Sequence, residues 1–281
     1  MNGRRKRTIP WWTAGACLVL VCGVAPAATH RDPRALAVAD GVLAAVAPAG
    51  AWEEVAGLRF EVAVAKKGEA VKTWKHVWDR REGRYRVEGE GPDGDHCIVL
   101  FNVNTRKGEA WILTKGEIKG NPDEQMNKSV QAWHWGRVEN PETLSKYLEF
   151  AYGRFINDTY WLLMPLRMKD PGVNLDDDGE KTLDGKTFDV VKMTFEGFGA
   201  APGDTYWVFV DRTTHLVDRW EHGLQGRDAK DRTVWIWKDW TNVGPLRLSL
   251  TKTRPDGKNS NSFRKVEALA EIPAGSFKGP N

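Results

Sequence analysis

Cysteine is scarce in this chain. Of 281 residues three are Cys, and two of them, Cys17 and Cys22, fall in the first apolar stretch. That leaves Cys97 alone in the body of the chain, so no internal disulfide can staple it. Cys97 sits in the strand-like run His96-Cys97-Ile98-Val99-Leu100-Phe101, where a buried, inert thiol is expected rather than a nucleophile. Clustered charge of one sign is also missing, which argues against a nucleic-acid footprint. The familiar catalytic signatures are absent: there is no Gly-x-Ser-x-Gly and no His-Glu-x-x-His. His76, His96, His134, His215 and His222 are scattered, none at metal-ligand spacing from another His or Cys. Gly179 with Gly185-Lys186-Thr187 is one residue too long for a phosphate loop, and a strand pattern follows where a helix is needed. Asn174, Asp176, Asp178 and Gly179 resemble the start of a calcium loop, but its twelfth position would be Gly185 instead of a bidentate Glu. A solvated acidic turn is expected there, with weak calcium binding as the alternative. No cofactor is expected.

The first residues are built for export. Arg4, Arg5, Lys6 and Arg7 precede an apolar stretch from about Thr13 to Val24, and Ala25-Pro26-Ala27 offers small residues for cleavage. That is the signal-peptide pattern, with a cut near Ala27. The stretch is shorter than the ~20 residues that span a bilayer as a helix, so a retained anchor is the lesser reading. Lipidation at Cys17 or Cys22 is a further alternative. Removing residues 1–27 takes away four of 41 basic residues and none of 38 acidic ones, which leaves a formal balance of −1. The remaining chain is expected in the periplasm or secreted, as a monomer.

Short β-like runs dominate. Leu58, Phe60, Val62 and Val64 alternate with polar residues; Trp74 and Trp78 share a face; so do Tyr85 and Val87. Cys97 to Val103 is apolar on both faces, as a central strand would be. Runs over 188–195, 206–210, 216–220, 234–240, 246–251 and 263–272 follow. They are separated by turn signals at Asp184-Gly185, Asp211 to Thr214 and Pro255-Asp256-Gly257. Two helical patterns interrupt the strands. Arg34 to Ala47 carries Leu36, Ala39, Val42, Leu43 and Val46 on one face. Asn140 reads as an N-cap with Pro141 first in the helix, ahead of Leu144, Tyr147, Leu148, Ala151 and Phe155. Asp158 then reads as the cap of a second short turn ending at Pro165. The expected architecture is mainly β: a strongly curved antiparallel sheet of ten or so strands, or an incomplete β-barrel, with an N-terminal helix and a helical lid inserted over about 141–164.

Twelve of the fourteen tryptophans lie beyond residue 27, several-fold above ordinary usage. They fill a wide core or line a cavity that suits an acyl chain or a hydrophobic peptide. Asp158-Thr159-Tyr160-Trp161 and Asp204-Thr205-Tyr206-Trp207 are the same four residues twice. Each ring pair is expected to face the interior while each carboxylate fixes a backbone turn or an arginine such as Arg219.

The run Tyr206-Trp207-Val208-Phe209-Val210-Asp211, then Thr213/Thr214 and Leu216-Val217, with the closing Val266 to Phe277 stretch, resembles the outer-membrane lipoprotein carrier (LolA/LolB-like) superfamily. Asn157-Asp158-x-Tyr160-Trp161-Leu162-Leu163-x-Pro165 is similar to a set of exported bacterial proteins without assigned function. The resemblance implies a single LolA-like β domain over 28–281 that binds a lipid or acylated protein without chemistry, with transient contact to a membrane or membrane protein. Tyr160, Trp161, Trp207, Trp220, Trp235 and Trp237 are the candidate ligand-binding residues, and Asp158, Asp204 and Arg219 their structural polar partners. Two other functions stand beside this one: a secreted hydrolase using carboxylates such as Asp158, Asp170 and Asp204, and an envelope scaffold without a small ligand.

Overall fold

The computed structural model describes residues 29–115, 133–195, 203–226 and 231–280. The segment read as a signal peptide, with Cys17 and Cys22, lies outside them. Helix α1 (Pro33–Val46) starts where Asp32 accepts hydrogen bonds from Arg34 N and Ala35 N, with Pro33 in the first turn. It buries Ala35, Ala39, Val42 and Val46, while Leu36 and Leu43 of the expected face are half-buried. One turn, α2 (Ala51–Glu54), leads into the sheet.

The strands follow one path. β1 (Gly57–Ala65), β2 (Lys72–Asp79), β3 (Arg84–Glu90), β4 (His96–Asn102), β5 (Gly108–Lys115) and β6 (Trp133–Arg137) step outward from the middle of the sheet to one edge. Helix α3 (Pro141–Leu163) then carries the chain to the opposite edge. There β7 (Val173–Leu183), β8 (Lys186–Phe195), β9 (Thr205–Asp211), β10 (Val217–Gly223), β11 (Thr233–Val243), β12 (Leu246–Thr253) and β13 (Ser260–Leu269) step back until β13 pairs with β1. All pairs are antiparallel, and the 13-stranded sheet stays open: β6 and β7 are its two edges. A 23-residue helix reaches about 35 Å, enough to cross a curved sheet. The expected curved, unclosed sheet with two covering helices is therefore the architecture found. The edge at β7 is partly covered, because Asp32 N bonds Leu175 O and Leu175 N bonds His30 O.

Local chemistry sets the corners. Asp184 and Gly185 both have positive φ (51° and 78°), the hairpin turn that Asp-Gly favours. Asp211 Oδ1 accepts from Thr213 N and Thr214 N, closing the β9–β10 turn.

Four expectations are corrected. Asp158 caps nothing: α3 runs unbroken to Leu163, because its carboxylate is ion-paired inside the protein. The acidic run Asp176–Gly179 lies within β7, which bulges between Asp177 and Glu180. The sequence reading also missed β6, whose Trp133-His134-Trp135-Gly136-Arg137 lacks a buried face. β13 ends at Leu269 instead of Ile272.

The core lies on the concave face beneath α1 and α3. A second, small cluster of Phe188, Val190, Trp207 and Phe209 sits on the other face of β8–β9.

Candidate functional site

The two copies of Asp-Thr-Tyr-Trp show how secondary structure sorts side chains. On α3, consecutive residues lie about 100° apart, so Tyr160 and Trp161 both face the sheet. On β9, consecutive residues point to opposite faces. Tyr206 joins the concave core, while Trp207 belongs to the outer cluster, under the Arg232 guanidinium 3.4 Å from its ring centre. Trp207 is thus separated from the other candidate rings.

Those other rings do meet. Trp161 stacks flat on Trp220 at 4.6 Å and 3°, and stands edge-on to Trp235 at 4.9 Å. Trp220 stacks on Trp237 at 5.7 Å and meets Tyr206 and Tyr160 edge-on at 4.7 and 6.0 Å. Trp237 continues to Trp240, whose indole donates to Val217 O at 3.2 Å. Register explains the cluster: Trp220 pairs with Trp235 across β10–β11. Among the described residues, the indole N–H groups of Trp220 and Trp237 and the Tyr160 hydroxyl are buried with no hydrogen-bond partner, as is the Trp78 indole against Phe155. Burial also pushes the Tyr160 and Tyr206 hydroxyls well above their usual pKa.

Asp158 is 1 % exposed. Its Oδ2 lies 2.5 Å from Arg154 one turn earlier and 3.2 Å from His76 Nε2 on β2. His76 Nδ1 meets the Tyr85 hydroxyl at 2.8 Å, and the Arg154 guanidinium lies 3.6 Å from the Trp74 ring centre. Burial raises the Asp158 carboxyl, but Arg154 and His76 outweigh it and hold it below its usual range. Burial keeps His76 below 6.5 despite Asp158. The Arg154 contact is an ion pair and the His76 contact a close approach of a neutral imidazole, both with poor hydrogen-bond alignment, since Asp158 Oδ2, His76 Nε2 and Arg154 Nη2 all lack a well-directed bond. The Tyr–His–Asp order resembles a catalytic relay, yet Asp158 spends its charge on Arg154 and all three of its members are sealed from solvent.

Arg219 partners neither aspartate. It pairs with Glu221 two residues on and lies over Phe209 on the outer face, as strand alternation requires. Asp204 instead holds His222 Nε2 at 2.7 Å and accepts from Gln225 N at 3.0 Å, so its expected part in fixing a turn is met. Asp170 pairs with Arg167. No contact among the described residues joins Asp158, Asp170 and Asp204, nor does any group of three metal-binding side chains occur there. Cys97 is 1 % exposed, and burial lifts its thiol to about 12.

Two residues escaped the sequence reading. His76 lies between Trp74 and Trp78 on the same strand face, a signal that was present. Lys252 extends the inward alternation Leu246, Leu248, Leu250 and is completely buried. Two open surface depressions, of about 380 and 250 Å³, lie elsewhere: one by Arg59, Arg86 and Lys278, the other by Arg34, Asp189 and Arg212.

A family model described as a family of unknown function, DUF6503, matches residues 110–255, more than half of the chain. The chain belongs to this family. No curated protein matches it. Among solved structures it is similar to a LolA superfamily protein from Nitrosomonas europaea (TM-score 0.46, 8 % identity, 87 % of this chain and 97 % of that one). It is also similar to a DUF1329 family protein from Desulfovibrio piger (0.45, 11 %, 87 % and 97 %). A third likeness is to a domain from Vibrio parahaemolyticus ascribed to outer membrane lipoprotein sorting (0.42, 9 %, 87 % and 96 %). At TM-scores below 0.5 these likenesses say nothing of what occupies the interior. No described helix is long and apolar enough to cross a membrane, which leaves strands out of consideration.

Proposed function

We propose that this chain is an exported binding or carrier protein of the bacterial envelope, taking a lipid or an acylated protein without chemistry. On this reading residues 1–27 are removed near Ala27, and 28–281 act as one β domain in the periplasm. The observation that carries it is the ring layer of Tyr160, Trp161, Tyr206, Trp220, Trp235 and Trp237 between the end of α3 and β9–β11. A core that merely needed filling has no use for indole N–H and phenol groups left without acceptors, each of which costs about 1–3 kcal/mol when buried unpaired. A ligand lying among these rings gains flat apolar contact and gives the donors an acceptor. Trp207, on the outer face, has no part in this site.

One observation favours a second reading, an envelope scaffold without a small ligand: the rings beneath α3 touch one another. Native mass spectrometry of the protein purified without detergent, followed by solvent extraction, separates the two. A co-purifying lipid, or saturable binding of a fluorescent fatty acid, is the expected result. A ligand-free protein that ignores the fatty acid supports the scaffold and removes the carrier.

A further inference from the structure

Lys252 is out of place. It follows Leu246, Leu248 and Leu250 on the inward face of β12, and it is 0 % exposed. In register it stands opposite Trp237 on β11 and Asn261 on β13. Its Nζ lies 4.4 Å from the Trp237 ring centre and 4.6 Å from that of Phe263. It donates to Ser249 O at 2.5 Å. No acid pairs with it among the described residues. An ammonium has three donors, and the described structure occupies one. Burying such a group without a counter-charge is costly, and a leucine or methionine in the same alternation would avoid the cost. The amine responds as expected, since desolvation pulls its pKa well below the usual lysine value.

The neighbouring polar atoms share one property. Trp237 Nε1 and Trp220 Nε1 are donors, buried and unpartnered, and the Tyr160 hydroxyl is unpartnered too. The rings that carry them form one continuous series with the lysine: Phe263, Lys252, Trp237, Trp220, Trp161. Around Trp237 and Trp220 the interior therefore holds unpartnered donors, a basic group beside them, and flat apolar surface. Resting on the carrier reading above, we propose that the ligand is a long-chain carboxylate, with Lys252 as the counter-charge to its head and the Trp237–Trp220–Trp161 series as the bed of its chain. A carboxylate is acceptor-only and offers two oxygens to such donors. Its charge favours the ammonium form of Lys252. An ester or an alcohol of the same chain length can accept a hydrogen bond but brings no counter-charge, and an alkylammonium adds charge of the same sign.

The test is a tryptophan-fluorescence titration of the delipidated full chain with laurate, methyl laurate and dodecylamine, for wild type and Lys252→Met. Wild type is expected to bind laurate about tenfold or more tightly than methyl laurate, the range of a hydrogen bond to a charged group, and dodecylamine weakest. K252M is expected to bind laurate and the ester alike. Equal affinity of wild type for laurate and ester, or an undiminished laurate preference in K252M, overturns the carboxylate proposal and leaves the hydrophobic carrier standing. Binding of none of the three compounds removes the carrier reading and this proposal with it. Should K252M fail to fold, the wild-type order decides: laurate above ester above amine supports the proposal, and any other order overturns it.

Discussion

Over β2–β4, α3 is fastened by Tyr147 to Asp95, Lys146 to Asp93 and Asp158 to His76, with Arg154 laid on Trp74. Over β9–β11 its last turn offers Tyr160 and Trp161 to a layer of rings, and no polar bond ties either ring to those strands among the described residues. A buried ion pair such as Asp158–Arg154 leaves an uncompensated charge when one partner is lost. Ring contacts are non-directional by comparison and part with a loss that scales with area. The same helix thus has a root held by polar contacts and a tip held by apolar ones.

Asp158→Asn strikes the root and should have the largest effect. It leaves the Arg154 charge without its anion, a loss of about 3–5 kcal/mol read from urea unfolding. Trp161→Ala strikes the tip and should cost about 3 kcal/mol. Hydrogen exchange then separates the two: W161A should speed exchange in the turn at Tyr160–Leu163 while 147–158 stay protected, whereas D158N should expose both. Uniform loss along α3 in W161A would break the comparison.

Acid should loosen both regions through their histidines. Burial holds His76 at the root and His222 at the tip below the ordinary 6.5. A group with that shift takes its proton more readily in the unfolded chain, so stability is full above about pH 6.5 and falls as the pH drops below it. Asp158, held below 3.8 in the folded chain, keeps its contribution above that value and loses it only at still lower pH. Unfolding midpoints at pH 7.5 and 5.5 should differ in wild type and differ less in a His76→Gln, His222→Gln chain. The smallest effect is a gain. Gly153 is exposed in the middle of α3, and a Cβ there would meet nothing within 4 Å. Gly153→Ala should stabilise by about 1 kcal/mol, raising the melting temperature by about 2–4 °C with no change in ligand affinity.

Much of this fold was legible in the sequence because its signals are local. Asn140-Pro141, Asp184-Gly185 and the alternation of Leu58 to Val64 each specify their own geometry within a few residues. The site was legible only in part. Tyr160, Trp161, Trp220, Trp235 and Trp237 were picked for their chemistry and do converge. Trp207 was picked by its likeness to Trp161, and strand alternation sends it to the other face. The Asp158 contact with His76 joins residues far apart in the chain, which no spacing rule predicts, although its Arg154 partner at i−4 was readable. Lys252 lies beyond the apolar members that mark a strand, one residue past the run Leu246 to Thr251.

The route of the chain through the sheet has a consequence for assembly. β1–β6 is one meander and β7–β13 another, and within each, every strand pairs with the one made just before it. Most such neighbours, the β5–β6 pair excepted, close short loops and can form early and fast. The seam between β1 and β13 is different, since it matches Gly57 with Leu269, and its loop-closure entropy must be met before any of its hydrogen bonds form. The rate of maturation should therefore be set at the seam, and a lesion in β13 should trap a protein with two half-sheets formed and unjoined.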